Sequence, residues 1–246
     1  MGAAGFVAEY FAADKPMAIS SRRTRRILKP RFDEQPDSLF GNNRGVPLPE
    51  SWEQNYLDVG GMHFMVDKIH GHQSGDMLVF LDKGMSKNAD LGDVVMVIDT
   101  IFPGWVPFWQ AAITHDIGGY YKALDEINAY DFDVLVAGHL TRLGTKNDVQ
   151  DYIDFFADVL AGVEAGFAAT PFGDVFVGSG VTDPTNPNAG NIWLALNEYD
   201  QRIVNVCEAY VLDAASRGRD WVADLGGLEI SLRSQCWAVQ NWVRIG

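Results

Sequence analysis

The chain has five histidines, His63, His70, His72, His115 and His139. His72 and His139, together with Asp99, fall where a fold can bring distant residues together. His72 lies between two short strand-like runs. Asp99 closes the apolar run Val94-Val-Met-Val-Ile98, and His139 follows Gly138 at the end of Val134-Leu-Val-Ala137. Imidazole and carboxylate are suitable ligands for zinc, iron or manganese. Loops at strand ends let a rigid sheet aim such groups toward one edge. A carboxylate at the end of an apolar strand is costly unless its charge is compensated. A metal ion does this, and so does a helix N-cap or a salt bridge. The intervals, 27 residues from His72 to Asp99 and 40 from Asp99 to His139, match no local ligand motif. Convergence would have to come from the fold. His63 and His115 read as ordinary surface or half-buried histidines.

The elements that must position these residues are legible in the hydrophobic pattern. Met62–Ile69 and Met77–Leu81 read as short strands separated by His-Gly-His-Gln-Ser-Gly-Asp. Val94–Ile98 and Val134–Ala137 read as strands buried on both faces. Between them runs an aromatic, proline-containing loop, Ile101-Phe-Pro-Gly-Trp-Val-Pro-Phe-Trp109. Its aromatics, Trp105 among them, either line a substrate pocket or pack the loop onto the core. Residues 116–129 have a helical pattern. Asp148–Val163 reads as an amphipathic helix, with Val149, Tyr152, Ile153, Phe156, Val159 and Leu160 at helical spacing. The order is therefore strand, strand, strand, helix, strand, helix.

The flanks read differently. Residues 2–13 suggest a short amphipathic helix carrying Phe6, Val7, Tyr10 and Phe11. Residues 20–31 are basic and read as a solvated face rather than a phosphate site. Residues 32–50 read as an extended connector. Pro171–Asn191 reads as a loop or linker. Asn197–Ser216 and Glu229–Arg244 read as helices of a C-terminal extension. The expected division is residues 1–169 for the α/β part, and residues 170–246 for the linker and helical extension.

Composition narrows the function classes. The 246 residues are 47% hydrophobic, 21% charged and 12% aromatic, enough to bury a sizeable core. The formal net charge of −14 argues against non-specific nucleic-acid binding and against attraction to anionic lipid. No apolar run reaches the ~18 residues that suggest a membrane span. The first residues lack the basic region of a signal peptide, which favours a cytoplasmic location. Dinucleotide binding lacks its G-x-G-x-x-G signature. No G-x-S-x-G turn for a serine nucleophile occurs. Cys207 and Cys236 cannot form a disulfide framework, and two buried thiols are the expected state rather than one bridge.

Three segments together carry a resemblance. They are Val66–Phe80 with His72-Gln-Ser-Gly-Asp76, Val94-Val-Met-Val-Ile-Asp99, and Val134-Leu-Val-Ala-Gly-His139. In order and rough spacing they resemble the second half of a metallo-β-lactamase-fold hydrolase. That family places a His in an H-x-x-G-[DN] turn, an Asp at a strand end and a His in a G-H turn. Phe102-Pro-Gly-Trp-Val-Pro-Phe108 and Gly138-His-Leu-Thr-Arg-Leu-Gly-Thr145 are also similar to a bacterial-type subgroup. The resemblance implies an αββα sandwich of the metallo-β-lactamase type, N-terminally incomplete, with a helical C-terminal extension. It implies that His72 ligates a first metal, Asp99 bridges two, and His139 ligates a second. Zinc is the implied metal, with iron or manganese as alternatives. The implied chemistry is hydrolysis of an ester, thioester, amide or phosphoester of a small-molecule substrate by metal-activated water, with Asp99 as catalytic residue. Trp105 and Arg142 are the candidate substrate contacts, and a pairing of Arg142 with a nearby Asp is the competing reading.

The family's H-x-H-x-D-H motif is not found in these 246 residues, so the chain reads as starting just past it. Three ligands cannot hold two ions. The alternative expectation is therefore a non-catalytic remnant or interaction module of the same fold. A thinned first sheet would leave an exposed edge through which copies could associate.

Overall fold

The computed structural model describes residues 19–21, 26, 50–52, 54–73, 76–85, 92–139 and 142–245. The expected helix at 2–13, almost all of the basic run and nearly all of the 32–50 connector lie outside the described residues. Two short strands, β1 (Ile19–Ser21) and β2 (Glu50–Trp52), pair in parallel. A five-stranded sheet follows: β3 (Tyr56–Val59), β4 (Met62–Lys68), β5 (Met77–Leu81), β6 (Val94–Met96) and β7 (Val134–Val136), in spatial order β3-β4-β5-β6-β7. Strands β3 to β6 pair antiparallel, and β6 pairs with β7 in parallel. The parallel pair requires a crossover. It is supplied by the aromatic loop and helix α1 (Ile117–Asn128).

One face of the sheet builds the core. Leu78, Val95 and Leu135 are fully buried, and Val95 stands opposite Leu135 in the register. The expectation that Val94–Ile98 is one strand buried on both faces is corrected. The strand ends at Met96, Val95 and Val97 are buried, and Met96 and Ile98 are exposed. Alternation over a continuous apolar run is what a sheet covered on one side gives, so apolar content by itself overstated the burial.

Helix α2 (Lys146–Ala169) starts two residues before, and runs six residues beyond, the expected helix. Its first turn is closed by Asp148, whose carboxylate accepts from Thr145 N (2.8 Å) and Thr145 Oγ1 (3.1 Å). Tyr152, Phe155, Phe156, Val159 and Val163 line its buried side. The expected 171–191 linker contains a short helix, α3 (Phe172–Gly178). Two long helices follow, α4 (Ile192–Leu212) and α6 (Leu228–Ile245), with the single turn α5 (Trp221–Asp224) between them. Helices α2 and α4 approach closely because Gly166 faces Ile203. A Cβ on Gly166 would stand 2.7 Å from the Ile203 carbonyl oxygen. Trp221 packs edge-on against Phe155, and Leu228, Leu232 and Val239 are buried in the same core. Among the described residues no single helix is long and apolar enough to cross a membrane.

The reading of Cys207 and Cys236 as free thiols is overturned. They form a disulfide that ties α4 to α6, with Cα atoms 6.0 Å apart and both residues fully buried. The sequence offered two cysteines 29 residues apart and no local signature. Only the antiparallel return of α6 along α4 brings them within bonding distance. A cross-link closing a loop of this length stabilises by about 2–4 kcal/mol. Urea unfolding of the Cys207→Ala, Cys236→Ala double variant should show a loss of that size against the oxidised chain. A difference below about 0.5 kcal/mol would show that the bridge contributes little.

Candidate functional site at the sheet rim

Strand directions decide what reaches the rim. Because β6 and β7 are parallel, Asp99 and His139 leave the sheet at the same edge. Because β5 is antiparallel to β6, the loop that enters β5 and carries His72 lies at that edge too. Ligands of open α/β sheets bind at this position, outside the carboxyl ends of the parallel strands.

The backbone around Asp99 is unusual. Asp99 has φ +63°, a left-handed conformation that L-residues rarely adopt and that concentrates at functional sites. Its N–H reaches the Ala137 carbonyl at 3.4 Å, extending the parallel pairing past the strand. Gly138 is at φ +100°, and a Cβ there would stand 3.0 Å from Ile98 Cγ2. Only glycine fits both the angle and the space. His139 is thereby delivered to Asp99, with Nε2 2.8 Å from Oδ1. The ring is two-thirds exposed and the carboxylate is about a quarter exposed. The approach is too oblique for a hydrogen bond, and Asp99 Oδ1 is buried without one.

His72 is held by its own loop. Its Nδ1 lies 3.5 Å from Asp76 Oδ2, outside hydrogen-bond geometry, and is likewise buried without a hydrogen-bond partner. The loop is anchored from both sides. His70 N donates to Glu126 Oε2 (2.9 Å), and the His70 ring meets Glu126 Oε1 at 2.8 Å on α1. Thr114 Oγ1 donates to the Gly71 carbonyl (3.3 Å). The structure thus joins Asp99 to His139 directly and sets His72 on the same rim with a different neighbour. Among the described residues, no group of three or more His, Cys, Asp or Glu side chains is arranged to hold a metal ion.

Trp105 sits on the loop after β6, half exposed, with its ring over Gly226. Its carbonyl accepts from the buried Tyr152 hydroxyl at 2.6 Å, and the same hydroxyl accepts from Phe102 N at 3.0 Å. Burial pushes the Tyr152 phenol well above its ordinary range, so it is a fixed neutral strut. Arg142 meets Asp148 through Nη1 and Oδ2 at 3.2 Å, and also lies over Gly104. Of the two readings of Arg142, the pairing with a nearby Asp is present. Sequence reasoning missed Asp76, Thr114, Glu126 and Gln235. Thr114, Glu126 and Gln235, whose carboxamide meets Ala111 N and the Pro107 carbonyl, stand next to their partners only in three dimensions. Asp76 lies four residues from His72 in the chain, and that nearness was its one weak signal.

By type alone, two imidazoles and a carboxylate are donors for one divalent cation rather than two. Asp99 Oδ1 and His72 Nδ1 are buried without a hydrogen bond, 2.8 Å from His139 Nε2 and 3.5 Å from Asp76 Oδ2 respectively.

Comparison with known proteins places metallo-β-lactamases beside this chain. It is 15% identical to a metallo-β-lactamase family protein from Thermus thermophilus, covering 86% of this chain and 70% of that one, with a TM-score of 0.44. It is 17% identical to a structure described as the first B3 metallo-β-lactamase with an active-site glutamic acid, covering 61% of this chain and 60% of that one, with a TM-score of 0.40. A class B3 di-zinc metallo-β-lactamase from an Alaskan soil metagenome is 12% identical over 82% of this chain and 65% of its own, with a TM-score of 0.35. The match thus spans less than two thirds of the B3 structures. No protein-family model matches the chain, and no curated protein does.

The Arg142–Asp148 pair makes a testable contribution. Burial raises the Asp148 carboxyl, but the Arg142 guanidinium and the Thr145 donors outweigh it and leave the carboxyl below its ordinary value. A carboxyl depressed by folding stabilises fully above its unfolded value, and that stabilisation disappears as pH falls through the lowered native value. Arg142→Ala should therefore cost about 1–2 kcal/mol at pH 7, allowing for the half-exposed guanidinium. The gap to wild type should close in strong acid. Urea unfolding of both chains across pH 7 to 2.5 measures it, and a pH-independent difference would assign the loss to packing instead.

Proposed function

We propose that this chain is a metal-dependent hydrolase whose site is the rim carrying Asp99, His139 and His72. The observation that carries this reading is the Asp99–His139 contact. A carboxylate held in a left-handed backbone conformation presents a buried oxygen with no hydrogen bond, 2.8 Å from an exposed imidazole. A structural ion pair needs neither the strain nor an oxygen buried without a hydrogen bond. The resemblance of the His72-Gln-Ser-Gly-Asp76, Ile98-Asp99 and Gly138-His139 segments to metallo-β-lactamase-fold motifs supports the same assignment.

In this reading Asp99, His139 and His72 would hold one zinc ion. When bound, the ion supplies a Lewis acid and lowers the pKa of its water toward neutrality. The chain's own residues do the rest. Asp99 supplies negative charge at the rim. His139, on a glycine-hinged turn, remains accessible to solvent and substrate. Glu126 and Thr114 fix the loop that carries His72. The substrate is a small molecule with an ester, thioester, amide or phosphoester bond.

A second reading is favoured by one observation. Without a three-residue metal group among the described residues, the same rim serves a non-catalytic binding module. Metal stoichiometry separates the two. Equilibrium dialysis against zinc should give one ion per chain, and Asp99→Ala and His139→Ala should each weaken binding by at least tenfold. Hydrolysis of a p-nitrophenyl ester should fall with metal content in the same variants. No zinc bound at micromolar concentration, together with hydrolysis unaffected by Asp99→Ala, would overturn the assignment.

A further inference from the structure

Beyond the Asp99–His139 contact, the loops after β6 and β7 continue side by side. A Cβ on Gly104 would stand 3.0 Å from Arg142 Nη2, and one on Gly144 would stand 2.8 Å from Pro103 Cγ. Along this seam the two loops leave Ile98, Trp105, Phe108 and Leu143 exposed, from 39% for Ile98 to 59% for Leu143. Large exposed apolar side chains mark binding sites more often when they cluster than when they are scattered. Ile98 adjoins Asp99 in the chain, and its side chain lies against Gly138, the residue before His139. Arg142, which lies along the same seam, is engaged by Asp148. The surface therefore favours a neutral apolar group over an anion.

The first of these loops does not rest in an easy conformation. Gln110, Ala111, Ala112 and Ile113 all have positive φ, between 49° and 62°. Ala112 N bonds to the Phe108 carbonyl at 2.9 Å, and Thr114 N to the Gln110 carbonyl at 3.1 Å. This is a left-handed helical turn built without glycine, which L-residues avoid because Cβ crowds the backbone. Something outside the turn must hold it. Gln235 on α6, fully buried, supplies both halves of a clamp. Its Oε1 accepts from Ala111 N at 2.6 Å, and its Nε2 donates to the Pro107 carbonyl at 2.6 Å. Ser234 Oγ accepts from Gln110 N at 3.2 Å. A carboxamide is the side-chain group that accepts and donates from one planar head. Glutamate keeps only the acceptor, and leucine keeps neither.

We propose that Gln235 is a positioning residue for the rim site. It holds the left-handed turn, and with it the wall formed by Trp105 and Phe108, so that the site takes substrates whose reacting bond carries a bulky apolar group. This rests on the reading of the rim as hydrolytic, and the test separates the two. Binding of octanamide and acetamide to the metal-free chain is measured by calorimetry. Hydrolysis of p-nitrophenyl octanoate and acetate is measured after zinc loading.

Octanamide should bind at least tenfold more tightly than acetamide. Gln235→Leu and Trp105→Ala should each abolish most of that preference, and Gln235→Glu should restore part of it. Ile230→Ser, at an exposed position on the same helix, should leave it intact. In hydrolysis, Gln235→Leu should raise KM for the octanoate ester with little change for the acetate. Should Gln235→Leu fail to fold, Trp105→Ala and Gln235→Glu carry the test. Equal binding of the two amides by the unaltered chain, or a preference that survives in Trp105→Ala, would overturn the proposal. A clear amide preference without ester hydrolysis supports the wall and removes the hydrolase reading. Ester hydrolysis without chain-length preference removes the wall and leaves the hydrolase.

Discussion

The parallel register of β6 with β7, Val95 opposite Leu135 and Met96 opposite Val136, sends both strands out of the sheet at one edge. Two loops that are separate in sequence must then share a rim, and every group of chemical interest follows from that. Asp99 and His139 meet because each lies three residues past its strand. His72 joins them at the edge because β5 runs the other way. Had β7 paired antiparallel, His139 would stand at the opposite end of the sheet. The crossover that permits parallel pairing is itself the aromatic loop plus α1, so the element that sets the topology also supplies the surface beside the site.

The C-terminal helices are structurally bound to that surface. Gly226 N donates to the Gly104 carbonyl at 2.9 Å, and Val106 N donates to the Gly226 carbonyl at 3.0 Å. Ser234 and Gln235 hold the left-handed turn a few residues further on. One residue beyond Gln235, Cys236 is bridged to Cys207 on α4, and α4 lies close against α2 through Gly162 and Gly166. Four consecutive left-handed residues cost about 1–2 kcal/mol each. A loop alone could not sustain that cost. It persists because the buried clamp and the disulfide-braced helix pair over-determine it. The same logic explains Tyr152, a core residue whose hydroxyl ties Phe102 and Trp105 to α2.

Much of this was legible beforehand. The period-3.6 pattern of 148–163 located α2, and the alternation of strand and helix located β4 through β7 with α1 between them. The positions of Asp99 and His139 at strand ends, and of His72 in the loop between two strands, were readable because apolar runs stop abruptly there. What misled was composition taken without context. Val94–Ile98 is apolar throughout, yet Met96 and Ile98 face outward, because apolar content does not say whether a sheet is covered on both sides. Two cysteines without a motif looked like thiols. Four non-glycine residues in a left-handed turn left no trace, since Gln-Ala-Ala-Ile has the composition of an ordinary helix.

The sequence by itself determined the local elements and the kind of chemistry available, because periodicity, glycine placement and side-chain type are properties of neighbouring residues. Tertiary structure alone decided which groups meet: Asp99 with His139, Cys207 with Cys236, Gln235 with a turn more than a hundred residues upstream. Those contacts depend on strand direction and helix return. Both are fixed by burial summed over the whole core, which no short window of residues contains.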